Sequence, residues 1–336
     1  MAYNIAVIGA DGLVGREILT LLAERAFPVG QIYAVAAGKA SGGQVSFGDD
    51  DIKLYPIEEI DFKTIDLSFF AGPSALSETY ARRAAATGKV IEMSGHFRGQ
   101  ADVPLIAVDI NAEKLVQMGR SNQIVATPCS AALQVATALV PLHTQAGIKR
   151  VVISTYQAVS ELGKDAMDEL FNQTRQIFMN NTPETNALPK RIAFNVIPQV
   201  GEFMDDRATV DEWGMAVELK QLLVPSVGVV AHMVFVPVFI GHGHMVNVEC
   251  DSDMDALAAR ALWMKSPGIT LIDLETDLGY VTPADIQGED STFISRTRDD
   301  TSAPDAISFW CTGDNIRKGA ALNAVQIAER WLKQSS

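Results

Sequence analysis

The sequence is poor in cysteine and in basic residues. Its 336 residues include 3 cysteines, Cys129, Cys250 and Cys311, and no CxxC pair, which argues against a disulfide framework and a zinc site. Lys and Arg total 27 against 41 Asp and Glu, and the formal net charge is −14. Nucleic acids and anionic membrane surfaces repel such a chain. We therefore expect no metal and no nucleic-acid partner.

The sequence also lacks a secretory signal pattern, because its start, MAYNIAVIGADG, has no basic segment ahead of an apolar one. Residues 222–240 carry no Lys, Arg, Asp or Glu and are long enough to span a bilayer. However, Pro225 and Pro237 interrupt this run, and valine predominates over leucine, as in buried strands. We expect strands of a mixed sheet here, and a cytoplasmic protein with no membrane partner.

Short apolar runs alternate with helical patterns up to about residue 126. Strands are predicted at residues 4–8, 31–36, 65–71 and 89–92, and helices at residues 13–25 and 76–87. Such alternation is typical of βαβ units and a parallel sheet. Beyond it we predict helices at 130–143, 164–179 and 315–333, strands at 151–156, 227–239 and 245–250, and a loop at 180–189. The second part is therefore expected to be an α+β domain.

A glycine-rich turn lies between the first predicted strand and the first predicted helix. Gly9, Gly12 and Gly15 allow a tight turn and a close approach of the backbone to a pyrophosphate, and the helix N-terminus supplies N–H donors. The alternative is a glycine turn in a domain that binds no cofactor. Asp11 places a carboxylate in this turn, and Lys39 is the nearest cation after the second strand. The predicted cofactor-binding residues here are Gly9, Asp11, Gly12, Leu13, Val14, Gly15 and Lys39.

Four motifs spread along the chain carry a resemblance to a known family. They are STYQAVS at residues 154–160, FNVIPQ at 194–199, VPVFIGH at 236–242 and DNIRKGAALNAVQIAE at 314–329. In this order they resemble the aspartate-semialdehyde dehydrogenase family. The resemblance implies an α/β fold with a Rossmann-type NAD(P)-binding domain, residues 1–128 completed by the C-terminal helix 314–336. It also implies a catalytic and dimerisation domain, residues 129–313, a homodimer, and NADP as cofactor, with NAD as the alternative.

The resemblance further implies a cysteine thiolate that attacks an aldehyde or acyl phosphate, with phosphate cleaving the resulting thioester. Such chemistry needs an ionisable nucleophile beside a base. Counted without gaps from Pro128 or from Gln134, the nucleophile position holds Ser130, and Cys129 lies one residue earlier. Cys129 is therefore either the nucleophile in a shifted turn or a small half-buried thiol.

Several further residues correspond to positions of the family's active site. By the same resemblance, Gln157 is the active-site glutamine, His242 the acid/base histidine and Arg98 a phosphate contact. Asn315 corresponds to an asparagine near the nicotinamide, and Asp211 replaces a glutamate that binds the substrate amine.

Three departures lie where the family binds substrate or cofactor. Phe235 stands in place of an arginine, Gly214 in place of a lysine, and Glu161 in place of a loop glycine. With Ser130, these departures are similar to the usg-type, semialdehyde-dehydrogenase-like branch of the family. We therefore expect an NAD(P)-dependent oxidoreductase of an aldehyde or acyl-phosphate group, with doubtful activity on aspartate semialdehyde itself. The alternative is a non-catalytic member that keeps the fold and acts as a binding or assembly protein.

Overall fold

In a computed structural model that describes residues 2–38, 42–118 and 123–333, the chain forms two compact units. The first comprises the residues up to Cys129 together with the segment from Ala320 onward, and the second is Ser130–Gly319. The predicted boundary before residue 314 differs from this division. The reason is that Asp314 accepts a hydrogen bond from the Gly288 N–H and Asn315 accepts one from the Gly241 N–H, both within the second unit.

A seven-stranded sheet forms the first unit. Its strands are β1 (Tyr3–Ile8), β2 (Val29–Val35), β3 (Gln44–Phe47), β4 (Asp50–Tyr55), β5 (Leu67–Phe70), β6 (Lys89–Glu92) and β7 (Ile124–Ala126). The strand order is β3-β4-β2-β1-β5-β6-β7, and the pairs are parallel except for the antiparallel hairpin β3–β4. The predicted parallel α/β sheet is confirmed, but the sequence patterns did not predict the hairpin or β7.

The helices of the first unit follow its strands. They are α1 (Leu13–Glu24), α2 (Ser74–Leu76), α3 (Arg82–Ala85), α4 (Val108–Asn111) and α5 (Glu113–Gln117). The single helix predicted at residues 76–87 is interrupted by a π turn, Ser77–Ala81, between α2 and α3. This wider turn carries the buried Ser77 hydroxyl, which donates to Glu92 at 2.9 Å.

A six-stranded mixed sheet forms the second unit. Its strands are β8 (Ile148–Gln157), β9 (Gly228–Phe235), β10 (His242–Cys250), β11 (Ile269–Leu271), β12 (Thr292–Asp299) and β13 (Ala306–Gly313), and its helices are α6 (Ser130–Ala146), α7 (Lys164–Phe178), α8 (Val210–Leu222) and α9 (Ala256–Trp263). The order is β11-β12-β13-β10-β8-β9. The uncharged run at 222–240 contains β9, as predicted, and no helix within the described residues is both long and apolar enough to cross a bilayer.

The last helix, α10 (Leu322–Lys333), belongs to the core of the first unit. It starts later than predicted because residues Arg317–Ala321 form a π turn. Trp331 is 4% exposed, and Arg25, the residue that follows α1, pairs with Glu329 at 2.8 Å. Asn323 accepts a hydrogen bond from the Val108 N–H and donates to the Ile106 carbonyl, so both its polar groups are satisfied in the interior. The first thirty residues and the last helix thus share one hydrophobic core.

Candidate active site

Five polar side chains of the second unit meet where strands end and helices begin. We call them the polar cluster: Ser130, Ser160, Glu161, His242 and Asn315. Ser130 is the first residue of α6 and His242 the first of β10, while Asn315 follows β13. Ser160 and Glu161 lie in the 3-10 turn Val159–Leu162 that follows β8. The antiparallel pairing of β10 with β8 and β13 brings these ends together.

The His242 ring is completely buried and is held at both nitrogens. The Ala158 N–H donates to Nδ1 at 3.1 Å, which identifies Nδ1 as an acceptor in the neutral ring. The proton of the neutral imidazole is therefore on Nε2, which lies 3.0 Å from Oε2 of Glu161. The ring is thus oriented with a single N–H directed into the polar cluster, where it can donate a hydrogen bond.

The Glu161 carboxylate lies at the centre of the polar cluster. Its Oε2 accepts a hydrogen bond from Ser130 Oγ at 3.1 Å, from His242 Nε2 at 3.0 Å and from Asn315 Nδ2 at 3.5 Å. The side chain of Glu161 is 34% exposed, whereas Ser130 is 7% exposed and His242 is fully buried. The carboxylate therefore lies between the two buried groups and the solvent.

Asn315 and Ser160 hold each other beside the histidine. Asn315 Oδ1 accepts a hydrogen bond from the Gly241 N–H at 2.9 Å, and Asn315 Nδ2 lies 3.1 Å from Ser160 Oγ. Both side chains are buried, so these hydrogen bonds fix their positions. Asn315, predicted from the resemblance to lie near the nicotinamide, is in the same cluster as the predicted acid/base His242.

Gln157 ends β8 and is 4% exposed. Its Nε2 contacts the Met233 sulfur at 3.5 Å, and its Oε1 is buried without a hydrogen-bond partner among the described residues. An unpaired buried amide oxygen is costly, so it is a candidate acceptor for a substrate group. Phe235, opposite Gln157 across β8–β9, is 2% exposed and fills the interior instead of supplying the positive charge that the family arginine would supply.

The glycine turn of the first unit has the geometry of a pyrophosphate cradle. Gly9 has φ +86°, and a Cβ on Gly15 would lie 2.1 Å from the Gly9 carbonyl oxygen. Gly12 caps α1 without a side-chain hydrogen bond, so Leu13, Val14 and Gly15, the first three residues of the helix, leave N–H groups for a ligand. A side chain at Gly9 or Gly15 would collide with neighbouring backbone, so the tight turn requires glycine there. The turn therefore fits a dinucleotide.

The other predicted residues are placed as follows. The Asp11 carboxylate accepts a hydrogen bond from the Ala37 N–H at 2.8 Å, so it joins the turn to the end of β2. Arg98 donates to the backbone carbonyls of Thr127 and Met93 in the first unit. Asp211 lies in the first turn of α8, with its carboxylate against Gly201.

Cys129 is half-buried and belongs to the first unit, and Lys39 lies outside the described residues.

Sequence reasoning identified Ser130, Gln157, His242 and Asn315, which the structure brings into one region of the second unit. It did not identify Glu161 as a site residue. The available signal was a carboxylate directly after STYQAVS, where the family carries a glycine. Within the described residues, no three His, Cys, Asp or Glu side chains are grouped to hold a metal ion.

The chain is similar over most of its length to known semialdehyde dehydrogenases. Residues 4–118 match the semialdehyde dehydrogenase NAD binding domain, and residues 139–318 match the semialdehyde dehydrogenase dimerisation domain. The chain is 42% identical over 332 residues to an aspartate-semialdehyde dehydrogenase of Rickettsia bellii, with 98% of each chain covered. It is 36% identical to aspartate-semialdehyde dehydrogenase 2 of Vibrio cholerae, with 97% of each covered.

Solved structures agree with these matches. The crystal structure of aspartate semialdehyde dehydrogenase II complexed with ASA from Vibrio cholerae superposes with a TM-score of 0.95 at 35% identity, covering 99% of each chain. A probable aspartate-semialdehyde dehydrogenase from Pseudomonas aeruginosa gives a TM-score of 0.94 at 29% identity, with 100% of each covered.

These findings confirm the predicted two-domain fold and an oxidoreductase with an NAD-binding domain. They do not support our expectation that activity on aspartate semialdehyde is doubtful. They also do not favour the alternative of a non-catalytic family member. The usg-type branch is not tested by them and stays a prediction. The chain belongs to the aspartate-semialdehyde dehydrogenase family.

Proposed function

We propose that this protein oxidises an aldehyde with NAD(P) as hydride acceptor and inorganic phosphate as acceptor of the acyl group, or reduces the acyl phosphate in the reverse direction. Aspartate semialdehyde is the first candidate substrate, because the relatives at 36–42% identity are named for it. The main support for the proposal is the orientation of His242. Its Nδ1 accepts a hydrogen bond from the Ala158 N–H, and its Nε2 faces the Glu161 carboxylate that also binds Ser130.

The residues of the second unit have distinct roles in this proposal. His242 is the proposed acid/base residue, and the Nε2–H of its neutral ring can donate a hydrogen bond to an oxygen on the reacting carbon as negative charge develops there. Gln157 offers its unpaired Oε1 to a donor group of the substrate. Ser130 is the proposed nucleophile, since its hydroxyl already donates to the Glu161 carboxylate, which can accept the proton as the oxygen attacks. Cys129 is the alternative nucleophile, and a thiol is more acidic than an alcohol.

The proposed cofactor contacts are the residues that the glycine turn and the family resemblance indicate. The turn Gly9–Gly15, including Asp11, Leu13 and Val14, would hold the pyrophosphate, and Asn315 and Lys39 are the further candidates for contact. The bound dinucleotide supplies hydride acceptance, which no side chain of the chain can provide. We infer NADP as the cofactor from the family resemblance, with NAD as the comparison. Arg98 and Asp211 remain proposed contacts for a substrate anion and a substrate amine.

We infer a homodimer, supported by the match of residues 139–318 to a dimerisation domain. We also infer a cytoplasmic location, supported by three cysteines that form no disulfide bond, because thiols persist in a reducing compartment.

The test measures NAD(P)H formation by ultraviolet absorbance with aspartate semialdehyde and a panel of small aldehydes, with and without phosphate. Replacing the catalytic acid/base in His242→Asn should reduce kcat by about 10²–10⁴-fold without changing the NADP affinity. Ser130→Ala and Cys129→Ser, measured side by side, identify the nucleophile as the residue whose loss abolishes turnover.

A second arm measures NADP and NAD binding by the shift of the melting temperature. A wild-type protein that binds the cofactor yet forms no NAD(P)H with any aldehyde would contradict the proposal and favour the non-catalytic alternative. Equal turnover by the wild type and by His242→Asn would contradict the role proposed for the histidine.

A further inference from the structure

A buried glutamine, Gln134, lies one helical turn after Ser130 in α6 and is 0% exposed. Its amide bonds to β10 and β13, the two strands that adjoin the polar cluster. We propose that Gln134 is a positioning residue. It holds the start of α6 against β10 and β13 and thereby sets the spacing of Ser130, His242 and Asn315. This inference rests on the proposed function, because it names a further residue on which turnover depends.

The two polar groups of the Gln134 amide contact one strand each. Its Oε1 accepts a hydrogen bond from Nε2 of His244 at 2.9 Å, and its Nε2 donates to the Gly313 carbonyl at 3.0 Å. His244 lies two positions after His242 in β10, and Gly313 ends β13 two positions before Asn315. Residues two apart in a strand point to the same face, and the ring centres of His242 and His244 are 6.3 Å apart. One side chain of α6 therefore bonds next to two members of the polar cluster.

The turn that carries Asn315 also packs on the first turn of α6 without spare room. A Cβ on Gly319 would lie 2.8 Å from Ser130 Cβ and 3.1 Å from Gln134 Nε2. A Cβ on Gly313 would lie 3.1 Å from Gln134 Cδ. Because these groups are already in close contact, a change in the Gln134 side chain must shift α6 and this turn relative to each other.

The hydrogen bonds of the Gln134 amide go to His244 and Gly313, neither of which has a proposed role in the chemistry. Without this amide, the His244 donor and the Gly313 carbonyl lose a partner in a region that is closed to solvent. We expect the strands to shift in response, and a misplacement of reacting groups by about 1 Å can lower a rate about 10²-fold. The glycine turn belongs to the first unit, so cofactor binding should not change with this amide.

Gln134→Met is the informative variant, because it keeps an unbranched side chain of similar length and removes both hydrogen bonds. The matched control is Thr137→Val, three positions later in α6. Thr137 is 3% exposed, and its hydroxyl donates to the Leu133 carbonyl within the helix. Both variants therefore remove a buried polar group of α6, but Gln134→Met also removes the hydrogen bonds to β10 and β13. Circular dichroism checks that both fold. His244→Leu, which removes the donor to Gln134, takes the place of Gln134→Met if that variant does not fold.

Steady-state kinetics well below the melting temperatures compares the two variants. Gln134→Met should lower kcat at least about tenfold, because the reacting groups are misplaced, while the KM for the aldehyde and the NADP affinity stay within about twofold of wild type. Thr137→Val should keep kcat within about twofold of wild type, whatever its loss of stability. Equal kcat in the two variants would overturn the inference. A fall in NADP affinity in Gln134→Met as large as the fall in kcat would overturn it as well.

Nuclear magnetic resonance of the histidine nitrogens separates this inference from the proposed function, because it needs no turnover. Wild type and Thr137→Val should show His242 as a single tautomer with its proton on Nε2, whereas Gln134→Met should show broadened or averaged His242 signals. The signals are assigned by their loss in His242→Asn. Identical His242 signals in Gln134→Met and wild type would overturn the inference. Absence of NAD(P)H formation in all three proteins would contradict the proposed function, while the His242 signals would still decide on the role of Gln134.

Discussion

The Nε2 atom of His244 lies 2.9 Å from Oε1 of Gln134, and both side chains are completely buried in the second unit. Gln134 donates its Nε2 to the Gly313 carbonyl at 3.0 Å, so its Oε1 is the acceptor and His244 carries its proton on Nε2. The Nδ1 of His244 has no hydrogen-bond partner among the described residues. Burial and the neighbouring His242 hold the pKa of His244 well below its ordinary value of 6.5.

We expect this histidine to make the protein less stable in mild acid. The unfolded chain takes up a proton at His244 below pH 6.5 and the folded chain does not, because its pKa is lowered. The free energy of unfolding is therefore unaffected by this group above pH 6.5 and falls by up to about 1.4 kcal/mol per pH unit below it. Urea denaturation at about pH 7.5 and about pH 5.5 should show a smaller loss in His244→Gln than in the wild type. An identical loss in both proteins would show that His244 titrates normally.

The three thiols should differ sharply in reactivity. Burial, with Asp251 and Asp305 nearby, raises the pKa of the Cys250 thiol to about 11, and burial raises the pKa of Cys311 further. Their thiolate fractions at neutral pH are then below about one in a thousand, whereas Cys129 is half-buried. Iodoacetamide followed by peptide mass spectrometry should label Cys129 first and the other two only after denaturation. In Cys129→Ser the native protein should take up no label, and rapid labelling of Cys311 would contradict the burial argument.

Gly15→Ala should damage the glycine turn. Its new Cβ would lie 2.1 Å from the Gly9 carbonyl oxygen, so the turn must move. We expect a loss of about 1–3 kcal/mol in stability from the overpacking and at least about tenfold weaker NADP binding. Gly214→Ala is the stability control, because its Cβ meets nothing within 4 Å in helix α8 and should be neutral or stabilising. Fluorescence titration with NADP and thermal unfolding measure the two effects, and unchanged affinity in Gly15→Ala would argue against the cradle.

Trp331 should anchor the last helix to the first unit. It is 4% exposed, and the Lys89 ammonium lies 4.5 Å from its ring centre. Removal of the ring in Trp331→Ala should cost about 3–5 kcal/mol, as large-to-small core substitutions do. The exposed Lys333→Ala, two positions later on the same helix, should change stability by less than about 0.5 kcal/mol. Chemical denaturation compares the two, and similar midpoints would show that the tryptophan is not a core residue.

Much of the first unit could be predicted because the sequence patterns that indicate its strands and helices involve residues close together in the chain. These patterns are the alternation of apolar runs with helical spacing and the glycines at residues 9, 12 and 15. They predicted β1, α1, β2, β5 and β6 with small errors at their ends. The hairpin of β3 and β4 was missed because half of its residues are exposed and the apolar ones show little periodicity. The π turn after α2 carries Ser77, which contacts Glu92 at a separation of 15 positions, and no local pattern contains that contact.

The amino-acid order alone was sufficient for the family, the two-part α/β organisation and the candidates Ser130, Gln157, His242 and Asn315, since motifs and periodicity are properties of neighbouring residues. The central position of Glu161 required the folded chain. Its partners Ser130 and His242 are separated from it by 31 and 81 positions, and only the pairing of β8, β10 and β13 brings their side chains within hydrogen-bond distance. Hydrogen bonds and charge repulsion act over a few ångströms of space, and sequence separation does not reveal which distant residues will come that close.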